Sequence, residues 1–329
     1  FFDSPDARGE GPETLVRAFL GAGRSGARLP LEPVWGSRWA RDAASSCKMR
    51  FADIPFAIVS GALGLYSRGV MFGLNDTDFR GEENLRGPLL DKSRRARGQG
   101  LVTVMNHYTP IDDPAAVAVF LKPLELTLGV REHVRWTMCA TDRCFKNPVV
   151  GQVLRWGKVL PIERGKGVHQ PCMDAAVELL DSGEWMHIFP EGRRSRTGRI
   201  QTPLRVGVGR LVADARVPPV IVPIYHRGID QVLPRGAWVP LTAGKRMLVM
   251  AGKPIDVSEM VSSMRAEGRT EADVYSAVTA EIERAMLALE AEADRTFSLD
   301  GEAPKAATEG AGSPSPKADA TPPAPEERA

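Results

Sequence analysis

The chain of 329 residues carries few of the side chains that metal and redox centres use, with 4 cysteines and 5 histidines in all. Cys47, Cys139, Cys144 and Cys172 lack the paired spacing that holds zinc, and only Cys139 and Cys144 lie near one another. Small, reduced, buried thiols are their expected state. No metal and no organic cofactor is expected. A Gly-x-Ser-x-Gly stretch is missing too, which argues against hydrolysis by a serine on a nucleophile elbow. Neither sign of charge is in excess, with 43 basic side chains against 41 acidic ones and a net charge of +2, so a strongly basic nucleic-acid binder is excluded. An uninterrupted apolar run is lacking as well: residues 54–74 are the most apolar stretch, yet Arg68 and several glycines break it.

Those gaps leave an ordinary globular composition, 43% hydrophobic, flanked by segments of a different kind. Residues 1–50 mix Gly, Pro, Ser and Ala with scattered arginines, and after Thr14 only Glu32 and Asp42 are acidic, so a targeting leader or a disordered extension is expected. Residues 51–75 are expected to associate with a membrane as a helix lying in one leaflet, with Tyr66 and Arg68 reaching the headgroups. From residue 299 to the end, Ala, Pro, Glu, Lys, Gly and Ser dominate and a disordered tail is expected.

Between these flanks, over residues 76–298, short β-branched runs alternate with helical spacings. Strands are expected at Leu101–Met105, Arg135–Ala140, residues 157–165, Trp185–Phe189, Val220–Tyr225 and Arg246–Ala251. Helices are expected at about residues 83–90, 110–121, 147–156, 171–180, 209–215 and 271–295. Such alternation predicts a layered α/β domain with a mainly parallel sheet flanked by helices. Residues 75–99 read as a polar connector with one helix.

Chemistry concentrates where the first strand ends, at Asn106-His107-Tyr108-Thr109-Pro110-Ile111-Asp112-Asp113-Pro114. Thr109 followed by Pro110 looks like a helix N-cap, and Asp112 falls three residues on, where its carboxylate can accept backbone N–H bonds and fold back toward His107. A carboxylate on one imidazole nitrogen fixes the tautomer and leaves the other free to take a proton. A capping Asp beside a surface His is the plainer reading of the same residues. Three later loops follow strand ends, where ligands bind in open α/β sheets. Glu163-Arg164 offers a guanidinium to a phosphate, Phe189-Pro190-Glu191-Gly192-Arg193 puts a carboxylate, a glycine and a cation on one turn, and Val222-Pro223-Ile224 offers an apolar wall for an acyl chain. Two arginine clusters, Arg94, Arg95 and Arg97, and Arg193, Arg194, Arg196 and Arg199, are candidate anion or headgroup sites.

These four blocks, in this order, resemble those of the glycerolipid acyltransferase superfamily. Gly183–Gly192, Gly207–Leu211 and Pro223–Asp230 narrow the likeness to its tafazzin family. The resemblance implies an acyltransferase-like fold behind a membrane-anchoring segment, and a mitochondrial membrane location. It implies a transacylase that moves fatty acyl groups between phospholipids and lysophospholipids without coenzyme A, remodelling cardiolipin. His107 would be the base and Asp112 its partner, with Arg164, Glu191, Gly192 and Arg193 binding substrate. Two alternatives stand beside it: an acyl-CoA-dependent lysophosphatidate acyltransferase using the same pair, and an inactive lipid-binding protein.

Overall fold

In the computed structural model, residues 54–113, 120–122, 133–233 and 242–299 are described. The expected leader, the expected tail beyond Leu299 and part of the helix expected at 110–121 lie outside them.

Helix α1 (Ile54–Arg68) runs into a π-helical turn (Gly69–Leu74), followed by β1 (Asp76–Arg80), α2 (Glu82–Leu90), α3 (Lys92–Ala96) and β2 (Leu101–Met105). Then come β3 (Trp136–Ala140), α4 (Thr141–Cys144), α5 (Pro148–Trp156), β4 (Val159–Ile162), α6 (Pro171–Asp181) and β5 (Trp185–Ile188). Helix α7 (Gly207–Ala213), β6 (Val220–Arg227), β7 (Arg246–Ala251), α8 (Ser258–Ala266) and α9 (Glu271–Thr296) complete the domain. The seven strands form one sheet in the order β1-β7-β6-β2-β5-β3-β4. Every neighbouring pair is parallel except β6 and β7. The carboxyl ends of β2 through β6 therefore share one edge of the sheet, with β2 near its middle.

The apolar run Leu101–Met105 explains that central place, because every one of its side chains is buried, as a parallel strand covered on both faces requires. Val102 and Val104 face a core built with α6, α7 and α9, while Leu101 and Met105 face a second core containing Leu85 and Leu89 of α2 and Val70 and Met71 of the π turn. Helix α9 starts at a capping box between Thr270 and Asp273, and buries Val274, Val278, Ile282, Met286 and Ala293 along one stripe. Gly209 of α7 lets α9 come close: a Cβ there would stand 2.0 Å from the Tyr275 carbonyl oxygen.

Several expectations change. Residues 75–99 hold β1 and α3 as well as a helix; β1 is a polar edge strand whose partner, β7, is about 170 residues away in sequence, so no local pattern announces it. Helix α8 was likewise unsignalled. Cys139 and Cys144 are joined in a disulfide, because α4 turns back over the end of β3 and brings their Cα atoms to 6.0 Å. Arg68 does not reach outward: it donates to the Leu121 carbonyl at 2.9 Å and lies over the Phe72 ring. Among the described residues no helix is long and apolar enough to cross a membrane. Val222 and Ile224 are fully buried core residues of β6 and offer no open wall to an acyl chain. Arg94 is buried at the opposite edge of the sheet, donating to the Pro88 and Gln99 carbonyls, and Arg95 pairs with Glu184, so these two are structural, while Arg97 is exposed.

Candidate active site

His107 and Asp112 sit at the carboxyl end of β2. The chain leaves the strand, makes a tight turn through Thr109 and Pro110, and enters a helical turn at Asp112. The Thr109 backbone N–H donates to Asp112 Oδ2 at 2.7 Å, the Tyr108 N–H donates to the same oxygen, and the Thr109 hydroxyl donates to Oδ1. Held this way, the fully buried carboxylate presents Oδ2 to His107 Nδ1 at 2.9 Å. Nδ1 is then the protonated nitrogen, and Nε2 keeps a lone pair. The ring is 23% exposed and stacks on Phe189, centroid to centroid 4.1 Å. Burial alone would raise the Asp112 pKa, but His226 and the bonds from both imidazoles hold it well below the carboxylate range.

The turn after β5 closes over this pair. Glu191 is almost completely buried, and its two oxygens accept the backbone N–H groups of His107, at 2.8 Å, and Gln201, at 3.0 Å. Its burial pushes the carboxyl up to about 7. Gly192 has φ +68°, a left-handed conformation that strains other residues. Further along, the Ser195 N–H donates to the His107 carbonyl at 2.7 Å, so the loop clasps the histidine from both its N–H and its C=O. Helix α9 holds the far end of that loop, with Arg199 paired to Asp294 and Glu290 accepting the Ile200 N–H at 3.1 Å.

Two further histidines stand behind the pair. The Asn106 side chain exchanges hydrogen bonds with the His226 backbone, 2.9 and 3.0 Å, which carries the pairing of β2 with β6 one step past the ladder. The His226 ring then lies with Nε2 3.0 Å from the Asn106 carbonyl oxygen and 3.5 Å from Asp112 Oδ2. His187, fully buried on β5, meets Thr103 Oγ1 through Nδ1 at 2.7 Å. Trp185 donates to the same hydroxyl at 2.9 Å, and the Met186 carbonyl stands 3.4 Å from it as a second acceptor for its proton. Burial drives His187 down to about 4, so it is neutral near pH 7. Asp113 is tied by Arg135, whose Nε donates at 2.8 Å, and the neighbouring guanidinium outweighs burial to hold it below the usual range.

Of the residues singled out in the sequence, His107, Asp112, Glu191 and Gly192 come together. Arg193 lies exposed on the same loop and donates to Gln201 at 2.8 Å. Arg164 shares the edge but follows β4, three strand positions from β2, which is roughly 14 Å at the usual strand spacing; it is half exposed and pairs with Asp142 at 3.5 Å. The arginine loop divides: Arg199 is engaged with α9, while Arg194 and Arg196 are exposed and have no ion-pair partner among the described residues. Asn106, Asp113, His187 and His226 were given no role from the sequence, and the signal for His226 was its place immediately beyond the Pro223–Tyr225 run. Among the described residues no cluster of three or more His, Cys, Asp or Glu side chains is arranged to hold a metal ion.

The chain is similar in sequence to known proteins. Residues 76–227 match the family model described as Acyltransferase. The chain is 30% identical over 246 residues to the tafazzin of Drosophila melanogaster, a match covering 75% of this chain and 63% of that protein. It is 37% identical over 183 residues to an N-acylphosphatidylethanolamine synthase of Arabidopsis thaliana, covering 53% and 63%, and 29% identical over 211 residues to the tafazzin of Dictyostelium discoideum, covering 59% and 72%. The chain thus spans less than two thirds of the first two relatives' length. Over residues 76–227 the chain is thus similar to the Acyltransferase family, and over a longer stretch it is similar to the tafazzins.

Proposed function

We propose that the protein is a coenzyme A-independent transacylase that moves fatty acyl groups from phospholipids to lysophospholipids and in this way remodels cardiolipin. The observation that carries the chemistry is the His107–Asp112 pair, an imidazole with one nitrogen bound to a buried carboxylate and the other free on a partly exposed ring. His107 Nε2 accepts the proton of a lysophospholipid hydroxyl as that oxygen attacks the donor's ester carbonyl. The tetrahedral adduct collapses with cleavage of the donor C–O bond, and the proton on His107 passes to the departing alkoxide. The products are an acylated acceptor and a new lysophospholipid, so no net proton is consumed. Asp112 orients the ring and stabilises the imidazolium. Glu191 and Gly192 shape the substrate side of the turn, and Arg193 and Arg164 draw the phosphate groups of the lipids.

The proposed place is peripheral or monotopic on a mitochondrial membrane; for the membrane contact, the support is helix α1, whose Ile58, Leu63, Leu65 and Tyr66 are exposed, at 42 to 64%. The identity to the Arabidopsis synthase favours a second reading, in which the attacking group is the amine of phosphatidylethanolamine. The same free Nε2 serves either nucleophile.

The test uses purified protein on vesicles containing acyl-labelled phosphatidylcholine, phosphatidylethanolamine and lysocardiolipin, without coenzyme A. Label in ester-linked cardiolipin supports the first reading. Label in a base-stable amide supports the second. Transfer only after acyl-CoA is added would assign the chain to acyl-CoA-dependent lysolipid acylation, and binding without transfer under any condition would make it a lipid-binding protein.

A further inference from the structure

His226 stands within reach of Asp112 without being needed for the fold of β6. Its backbone is already pinned by the Asn106 side chain, so the strand does not depend on the ring. The ring itself is buried, with Nε2 facing only acceptors: the Asn106 carbonyl at 3.0 Å and Asp112 Oδ2 at 3.5 Å. Nε2 must therefore carry a proton. Nδ1 is buried with no hydrogen-bond partner. A packing residue at this place would carry no polar edge, since burying an unpaired nitrogen costs free energy. The same Asp112 oxygen also takes Nδ1 of His107, so one carboxylate stands between two imidazoles.

We propose that His226 is a positioning residue: by sharing Asp112 Oδ2 it limits how strongly that carboxylate holds the His107 proton. This role rests on the reading of His107 as the general base. The direction follows from electrostatics. A donor on Asp112 spreads its charge and weakens its pull on the His107 imidazolium, and a positively charged His226 would repel that imidazolium as well. Burial lowers the proton affinity of His226 and Asp112 and Asp230 raise it, while Glu191, His187, Asp113, Arg135 and Arg227 also bear on this cluster. Removing the His226 ring releases Asp112 to hold the His107 proton more tightly.

The experiment is an NMR titration of the full chain with ring-labelled histidine. The chain has 5 histidines, and His107→Gln identifies the signal of His107. In His226→Leu, and in His226→Phe which keeps the ring volume, the His107 midpoint should rise by about one unit. His226→Gln, whose amide N–H reaches the same acceptors, should bring it most of the way back. Acyl transfer in the apolar variants should fall about tenfold below the new midpoint and recover as pH rises, whereas a packing defect lowers it at every pH. A folded His226→Phe or His226→Leu protein with an unmoved or lowered His107 midpoint overturns the proposal. The NMR readout needs no turnover: a shifted midpoint in a protein without transfer activity would keep the His226 link and reject the transacylase reading.

Discussion

Glu191 and His187 are both buried beside His107, and they respond to pH in opposite directions. His187 binds its proton only at about 4 when folded, against 6.5 for an ordinary imidazole, so the unfolded chain holds the extra proton between these values and stability rises with pH. Glu191 keeps its proton to about 7 against 4.5, so its contribution falls as pH rises across that window. Each amounts to about 3 kcal/mol by linkage. Between pH 4.5 and 6.5 they offset one another. Glu191→Gln should therefore make the unfolding free energy climb with pH relative to the native chain, and His187→Gln should make it fall, as urea titrations at a series of pH values would record. Parallel slopes in all three proteins would contradict these assignments. His107 and Asp112 were legible in the sequence because their contact is local, made within five residues by a capped turn. The partners of Asp112 and His187 were not. His226 meets Asn106 across 120 residues and His187 meets Thr103 across 84, and no spacing along the chain records a contact made by strand pairing. Arginine runs misled for the same reason, since Arg94 and Arg199 find their partners only in the folded chain.

Among the elements, α9 both supports the sheet and steadies the loop that clasps His107. Asp294 on α9 pairs with Arg199 of that loop and with Arg227 at the end of β6, at 3.0 Å. These groups are partly exposed, so Asp294→Ala should cost no more than about 1 kcal/mol of stability. Its larger effect should be on the loop: limited proteolysis should cut faster at Arg193–Arg199, and transfer activity should drop several-fold. Unchanged cleavage there would show that the loop does not rely on α9. At Gly209 the reverse is expected, because a methyl group would press on the Tyr275 carbonyl and the Thr279 hydroxyl, 2.0 and 2.5 Å away. Gly209→Ala should destabilise by about 1–3 kcal/mol through helix separation, seen as a lower Tm. The apolar runs of β2 and β7 gave both strands residue for residue, since a buried strand needs little besides β-branched and large apolar side chains. β1 carries only Phe79 as a large apolar residue, so its pairing with β7 had no sequence signature.

At the scale of the whole molecule, the order of the strands makes one edge of the sheet the working face. β2 through β6 all end there, so the His107 turn, the Glu191 turn and the loop bearing Arg164 are gathered without any of them being close in sequence. The alternation of strand and helix was enough to predict the parallel body of the sheet, but not the reversed β1 and β7 at its side. Exposed apolar residues on α1 lead to one expectation at this scale: Ile58→Asp with Leu65→Asp should weaken vesicle binding while leaving the circular dichroism spectrum intact, and full vesicle binding by that variant would remove α1 from the membrane contact. The central claim is that His107, oriented by Asp112, moves the proton in acyl transfer. It is tested most directly by the transfer rate of His107→Ala and Asp112→Asn on phospholipid and lysophospholipid vesicles, with folding and vesicle binding measured in parallel. The account predicts a loss of about a hundred- to ten-thousand-fold in both variants, with fold and binding retained. Transfer by a well-folded His107→Ala protein at the native rate would contradict it.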